Sequence, residues 1–168
     1  MDTELIAAAD LLGHELKRAG SWLATAESCT GGWLGEVLTA VPGSSAWYER
    51  GFITYSNAAK REMLGVKTET LARFGAVSEQ TARAMAEGAL AASQADVAVA
   101  ITGIAGPAGG TPDKPVGTVC LAWAARKQPT RSQVERFRGD RETVRRQAVK
   151  AALDGLRALA EGLPAKGH

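Results

Sequence analysis

The sequence predicts an α/β protein, a single-domain, three-layer α/β/α fold built on a mixed sheet. Its length of 168 residues fits one domain and leaves little room for two. Apolar stretches with helical spacing alternate with short strand-like runs in the first part of the chain. Several strand-like runs then follow one another, which indicates a sheet of mixed direction with helices on both faces.

The first half of the chain alternates between helical and strand-like patterns. Leucine and alanine recur at helical spacing from Leu5 to Leu16, and Gly20 suits the C′ position of this helix. The apolar run WLATA and the aromatic, β-branched run WYERGFITY are typical of strands, and Asn57 is expected to cap the helix that follows. In chain order, the predicted segments are a helix at 3–18, a strand at 22–26, a helix at 32–41, a strand at 47–55, a helix up to residue 64 and a helical turn at 69–73.

The second half begins with a helix over 79–93, which Ser78 is expected to cap. A continuous apolar run at 97–101 predicts a central strand, because both of its faces must be buried. A second apolar strand is predicted at 116–124, an alternating edge strand at 132–137 and a last helix capped by Asp140. The predicted domain covers 1–163, with a short tail over 164–168.

Charge and composition exclude several classes of function. The net charge of +2 is mixed along the chain, so nothing indicates a nucleic-acid partner, and the basic stretch 126–146 is interrupted by acids as on a solvated face. No apolar run reaches the length of a membrane span, and no signal peptide is expected. Cys29 and Cys120 are too few for a disulfide framework, which predicts a reduced, cytoplasmic protein. His14 and His168 have no common zinc spacing with these cysteines, so no metal site is expected.

The stretch SCTGG lies where a predicted strand turns into a predicted helix. Such junctions bind ligands in α/β sheets, and free N–H groups there can stabilise a developing oxyanion. Ser28 or Thr30 could supply a nucleophilic hydroxyl. The alternative is that one of them only caps the helix and that the glycines serve packing.

Lys60 is the second candidate. If Asn57 caps its helix, Lys60 falls at the third helical position, where the helix dipole and burial would lower the lysine pKa. A neutral lysine can remove a proton from a serine, whereas an exposed lysine would have no such role. The rival nucleophile is Cys29, which has no histidine to activate it and is expected to be a packed neighbour.

Two further stretches are candidates for substrate binding. The loop TGIAGPAGG at 102–110 is rich in glycine and lacks the GK[ST] ending of a nucleotide P-loop, so it predicts either a shaped backbone cradle or a long structural loop. Arg141 and Arg145 lie at the start of a helix, against its dipole. A phosphate is their natural partner unless they are simply solvated.

Four segments match one known family in the same order: AESCTGG (26–32), GFITYSNAAK (51–60), GAVSEQTA (75–82) and AITGIAGPAGG (100–110). Together they resemble the C-terminal domain of CinA, a family also called the nicotinamide-nucleotide amidohydrolase or PncC family. The resemblance spans roughly 5–160 and is to the stand-alone form of the family. It implies a mixed α/β/α fold, deamidation of nicotinamide mononucleotide in pyridine nucleotide salvage, and no metal or cofactor.

The resemblance also implies roles for particular residues. The family serine falls on Ser28 and the family lysine on Lys60, and Tyr55 is expected to orient one of them. The implied substrate-binding residues are Thr30, Gly31, Asn57, Thr102, Gly103, Ala105, Gly106 and Arg141.

The expected mechanism is amide hydrolysis by a serine and a lysine, with backbone N–H groups near Ser28 or in the 102–106 loop facing the oxyanion. The alternatives are a non-catalytic nucleotide-binding module associated with competence or with a partner protein, and an amidase for another phosphorylated amide. The size of the chain allows a homodimer.

Overall fold

Five strands form one sheet in the computed structural model, which describes residues 2–166. The strands are β1 (Leu23–Glu27), β2 (Tyr48–Ile53), β3 (Val97–Gly103), β4 (Thr118–Ala125) and β5 (Arg131–Arg136). The helices are α1 (Thr3–Ala19), α2 (Trp33–Thr39), α3 (Asn57–Leu64), α4 (Thr68–Phe74), α5 (Glu79–Ala91) and α6 (Arg141–Glu161), and a short 3-10 turn covers Ser44–Ala46.

The sheet is mixed, as the sequence predicts. Its strand order is β2-β1-β3-β4-β5; β1 is parallel to both β2 and β3, while β4 is antiparallel to β3 and β5 to β4. Helices connect the parallel strands, because the chain must return to the starting end of the sheet before it can form the next parallel strand. The carboxyl ends of β1, β2 and β3 therefore lie along one edge of the sheet.

Helices cover both faces of the sheet and complete the three layers. Val97, Val99 and Ile101 of β3 face the layer formed by α1, α2 and α6. Ala98 and Ala100 face the other layer, where α5 packs with side chains from α3 and α4. Small alanine side chains on this face let α5 lie close to the sheet. The α/β prediction is thus confirmed, and the continuous apolar pattern of β3 follows from burial on both faces.

Most of the predicted helix ends are confirmed. Gly20 ends α1 in a left-handed conformation, and the side chains of Ser78 and Asp140 accept hydrogen bonds from the first turns of α5 and α6. The prediction that Asn57 caps α3 is wrong. Ser56 is the N-cap, because its hydroxyl accepts from the amide of Ala59.

The C-terminal stretch lies against the body of the protein as far as Lys166. The amide of Lys166 donates to the carbonyl of Ala19, and the Lys166 side chain forms a salt bridge with Asp96 at 2.9 Å. The last two residues of the predicted tail, including His168, lie outside the described residues. None of the helices within residues 2–166 is long and apolar enough to cross a membrane.

Candidate active site

A cleft of about 260 Å³ opens where the carboxyl ends of the three parallel strands meet. Ser28 directly follows β1, Lys60 comes from α3 after β2, and Thr102 lies at the end of β3. The structure places eight of the eleven predicted site residues around this cleft: Ser28, Tyr55, Asn57, Lys60, Thr102, Gly103, Ala105 and Arg141. Residues far apart in the chain thus form one site, as expected at this edge of an α/β sheet.

Ser28 and Lys60 form the polar centre of the cleft. The Nζ of Lys60 lies 3.1 Å from the Oγ of Ser28. Both residues are buried, with 1% of Lys60 and 7% of Ser28 exposed. Lys60 also donates to the carbonyls of Thr54, at 2.9 Å, and Tyr55, at 3.4 Å.

Burial lowers the pKa of Lys60 below its ordinary value of 10.5, since the charged form loses hydration. The groups that its amine contacts are uncharged oxygens, none of which favours the ammonium as a carboxylate would. The sequence pattern predicts that the helix dipole also lowers the pKa of Lys60. Lys60 is the fourth residue of α3, one position further from the helix start than predicted, and burial is the dominant cause.

The turn that carries Ser28 is held by a residue that the sequence analysis missed. Glu27 is 2% exposed, and its Oε1 accepts from the Thr30 hydroxyl at 2.6 Å. Its two oxygens also accept from three amides at the start of α2, those of Gly32, Leu34 and Gly35. Neither Ser28 nor Thr30 caps α2; its N-cap is Gly32, whose left-handed backbone offers no side-chain cap. The available signal was an acidic residue ending the apolar run LATA immediately before SCTGG.

Thr30 and Gly31 are not among the residues that line the cleft. The Thr30 side chain is completely buried and points to Glu27, and the Gly31 amide donates to the carbonyl of Ser28. In this arrangement both residues shape the turn around the cleft and do not line it.

Arg145 holds the same turn from the opposite side. Its guanidinium donates to the carbonyls of Cys29, at 3.0 Å, and Thr30, at 3.2 Å, and lies over the ring of Trp33. Sequence reasoning linked Arg145 to a phosphate, but the structure commits its guanidinium to the protein backbone. Its contacts span more than a hundred residues of sequence, so no local pattern could reveal them.

Arg141 lies at the rim of the cleft and joins two of its walls. Its guanidinium donates to the carbonyl of Gly106, at 2.8 Å, and to the Tyr55 hydroxyl, at 3.4 Å. Gly106 has a φ of +85°, and a Cβ there would collide with Val116, so the loop needs glycine at this position. Gly106 therefore acts through its backbone, which holds Arg141 beside the cleft.

The remaining candidates differ in how closely they approach the Ser28–Lys60 pair. The Tyr55 side chain is 65% exposed, and it is the carbonyl of Tyr55 that contacts Lys60. Burial raises the pKa of the Cys29 thiol to about 11, so this neighbour of Ser28 stays protonated near neutral pH and is a poor nucleophile. Within residues 2–166, no group of three or more histidine, cysteine or acidic side chains could hold a metal ion.

Known proteins are similar to this chain over most of its length. The family model described as the CinA C-terminal domain matches residues 6–160. Nicotinamide-nucleotide amidohydrolase PncC of Escherichia coli strain K12 is 54% identical over 155 residues, which cover 92% of this chain and 94% of that protein. The protein of the same name from Pseudomonas putida is 55% identical over 148 residues, covering 88% and 92% of the two chains.

Solved structures and longer relatives extend the comparison. The crystal structure of competence/damage inducible protein CihA from Agrobacterium tumefaciens matches with a TM-score of 0.92 and 48% identity, covering 95% of this chain and 97% of that one. A CinA-like protein of Anaeromyxobacter dehalogenans is 55% identical over 148 residues, but these make up only 36% of its length.

Proposed function

The chain belongs to the CinA C-terminal domain family, and from this premise we propose that it hydrolyses the carboxamide of nicotinamide mononucleotide. The products are nicotinate mononucleotide and ammonia, a step of pyridine nucleotide salvage. The names of relatives about half identical over most of the chain support this substrate. The observation that carries the chemistry is the buried contact of 3.1 Å between Ser28 Oγ and Lys60 Nζ.

The hydrogen bonds around Lys60 suit a neutral amine acting as a base. A neutral amine has two N–H groups and one lone pair. The N–H groups donate to the carbonyls of Thr54 and Tyr55, which leaves the lone pair for the Ser28 hydroxyl proton. A lowered lysine pKa supplies this neutral form nearer to neutral pH than an exposed lysine does.

In the proposed reaction, the Ser28 oxygen bonds to the carboxamide carbon as its proton passes to Lys60. The carbonyl oxygen then becomes an oxyanion that needs N–H donors. The amides of Ser28, Gly31 and Gly32 are already bonded to Ile101, Ser28 and Glu27. Within residues 2–166, the amides of Cys29 and Thr30 donate to no main-chain carbonyl, and of these two residues only Cys29 lines the cleft, so we assign an oxyanion contact to the Cys29 amide.

The second half of the reaction restores the enzyme. The protonated Lys60 gives its proton to the departing nitrogen, which leaves as ammonia when the C–N bond breaks. Water then attacks the acyl-enzyme, and Lys60 accepts the proton of that water. The Ser28 oxygen leaves the acyl carbon and regains a proton, and nicotinate mononucleotide is released.

The rest of the cleft is proposed to bind the nucleotide. Arg141 is exposed at the rim, and guanidinium groups pair well with phosphate, so it is the candidate for the substrate phosphate. Four residues that line the cleft complete the proposed substrate-binding set, namely Asn57, Thr102, Gly103 and Ala105. Gly106, Thr30 and Gly31 support this set through the backbone contacts described above.

Ammonia release from nicotinamide mononucleotide by the wild type and by Ser28→Ala tests the proposal. We expect catalytic turnover by the wild type, none by Ser28→Ala, and retained nucleotide binding by both in calorimetry. Near-normal turnover by Ser28→Ala would eliminate Ser28 as the nucleophile. Stoichiometric binding without ammonia from the wild type would support the nucleotide-binding module, and competition among phosphorylated amides would reveal a different amide substrate.

We place the enzyme in the cytoplasm, acting on a small molecule without nucleic acid or cofactor, and we expect either a monomer or a homodimer. Its two cysteines are free and buried, as is usual in reducing compartments. Its net charge of +2 is too small to favour nucleic acid.

A further inference from the structure

Glu27 is a fully buried acidic residue that the proposed reaction does not use. It ends β1, one residue before Ser28, and only 2% of it is exposed. Burying a carboxylate is costly unless hydrogen bonds replace its lost hydration. The contacts of this carboxylate therefore show what it does in the fold.

The contacts all tie Glu27 to the turn and to the helix that follow it. Its Oε1 accepts from the Thr30 hydroxyl at 2.6 Å, the Gly32 amide at 3.2 Å and the Leu34 amide at 3.0 Å. Its Oε2 accepts from the Gly35 amide at 3.0 Å. The carboxylate thus spans the whole turn between Ser28 and α2.

The carbonyls of the same turn are held separately. Arg145 donates to the carbonyls of Cys29 and Thr30, and the Gly31 amide donates to the carbonyl of Ser28. Within residues 2–166, the amides of Cys29 and Thr30 are the N–H groups of this turn that donate to no main-chain carbonyl. The Cys29 amide, which belongs to a residue lining the cleft, is the N–H group proposed for the oxyanion.

We propose that Glu27 is a positioning residue, which acts through the Thr30 hydroxyl to fix the turn carrying Ser28 and the amide of Cys29. This inference rests on the proposed function and adds a residue to it. Glu27 does not line the cleft, and its role is to hold the oxygen of Ser28 and the amide of Cys29 in reactive geometry. A misplacement of about 1 Å at such a site can reduce the rate about 10²-fold.

Matched threonine substitutions separate positioning from simple stability. Thr30→Val removes the hydroxyl that Glu27 accepts from and keeps the shape of the side chain. Thr25→Val removes a similar hydroxyl of β1, also completely buried, whose hydrogen bond of 2.7 Å joins it to Tyr48 and not to the turn. Both variants should lower the melting temperature. Only Thr30→Val should lower kcat for ammonia release, by about 10²-fold, with KM changed by less than about threefold.

Glu27→Gln completes the test, because an amide group must place an N–H donor against donors of the turn or of α2. It should lower kcat as Thr30→Val does, and the double variant should lose less than the product of the two single losses. If the loss in kcat of the double variant equals the product of the two single losses, the proposal is overturned, because Thr30 then acts independently of Glu27. Unchanged kcat in Thr30→Val, with a melting temperature lowered as in Thr25→Val, would also overturn it, even if Glu27→Gln does not fold.

A fluorophosphonate probe separates this inference from the identity of the substrate. The Ser28 oxygen bonds to phosphorus, fluoride leaves, and Lys60 takes the proton, so labelling requires the positioned turn and no nucleotide. We expect Thr30→Val and Glu27→Gln to be labelled about 10²-fold more slowly than the wild type and Thr25→Val. If the wild type is labelled at Ser28 but releases no ammonia, the proposed substrate is wrong and the labelling rates alone decide the role of Glu27. A wild type that shows neither activity overturns both proposals.

Discussion

The two strand-to-helix junctions that supply Ser28 and Lys60 are built in contrasting ways. They follow β1 and β2, which are neighbouring parallel strands. The β1–α2 junction is held by polar contacts from Glu27 and Arg145, and its helix has no side-chain cap of the usual kind. The β2–α3 junction has an ordinary cap, Ser56, and places Lys60 in a buried position.

The contrast shows two environments in which this fold buries an ionisable side chain. Glu27 meets four donors, so its carboxylate is satisfied by hydrogen bonds and serves to hold backbone. Lys60 meets uncharged oxygens, and burial lowers its pKa. In the proposed mechanism, one junction fixes the position of the nucleophile, and the other sets the protonation state of the base.

The largest expected effect comes from abolishing the base. Lys60→Arg keeps a positive charge but cannot offer a lone pair, so ammonia release should fall by about 10³-fold or more. Lys67→Arg, at the exposed N-cap residue of α4, is the matched control and should retain activity. Substantial activity in Lys60→Arg would show that the β2–α3 junction does not supply the base.

Removing the guanidinium at the cleft rim should have a smaller effect. Arg141→Ala should lower kcat/KM for nicotinamide mononucleotide by about 10- to 100-fold, through the loss of charged hydrogen bonds to phosphate. Nicotinamide riboside, which lacks the phosphate, should be affected much less. Arg138→Ala, which replaces a nearby exposed arginine, is the control. Equal losses for both substrates would mean that Arg141 only supports the loop through Gly106.

The stability of the protein should report the cost of burying the Lys60 amine. Since the folded pKa lies below 10.5, stability is lost as pH falls from 10.5 through that lowered pKa. Each unit of lowering corresponds to about 1.4 kcal/mol. The free energy of unfolding of the wild type, measured in urea against that of Lys60→Met, should therefore decrease relative to the variant as pH falls. A relative increase on acidification would contradict desolvation of Lys60.

The smallest effect is expected for the side chain of Tyr55. Tyr55→Phe keeps the carbonyl that contacts Lys60 and removes only an exposed hydroxyl beside Arg141, so the rate should fall by less than about fivefold. The shape of the pH–rate profile should not change. A loss close to that of Lys60→Arg would show that the phenol takes part in the reaction.

Sequence reasoning reached the α/β fold because periodicity and capping are local signals. It also singled out Ser28 and Lys60, and in the structure the Ser28 Oγ lies 3.1 Å from the Lys60 Nζ. It missed Glu27 and the contacts of Arg145, since they depend on where a side chain points at the end of a strand and on residues far away in the chain. The difference between Ser56 and Asn57 as the cap of α3 is a shift of one residue, within the usual uncertainty of helix ends.

The protonation state of Lys60 is the central claim, and a titration by ¹⁵N NMR of its labelled amine tests it most directly. Loss of the signal in Lys60→Met assigns the resonance. We predict a pKa below 10.5 that coincides with the acid limb of kcat/KM, where activity rises with pH as the amine becomes neutral. A Lys60 amine that titrates at 10.5 or above, in an enzyme active at neutral pH, would contradict the account.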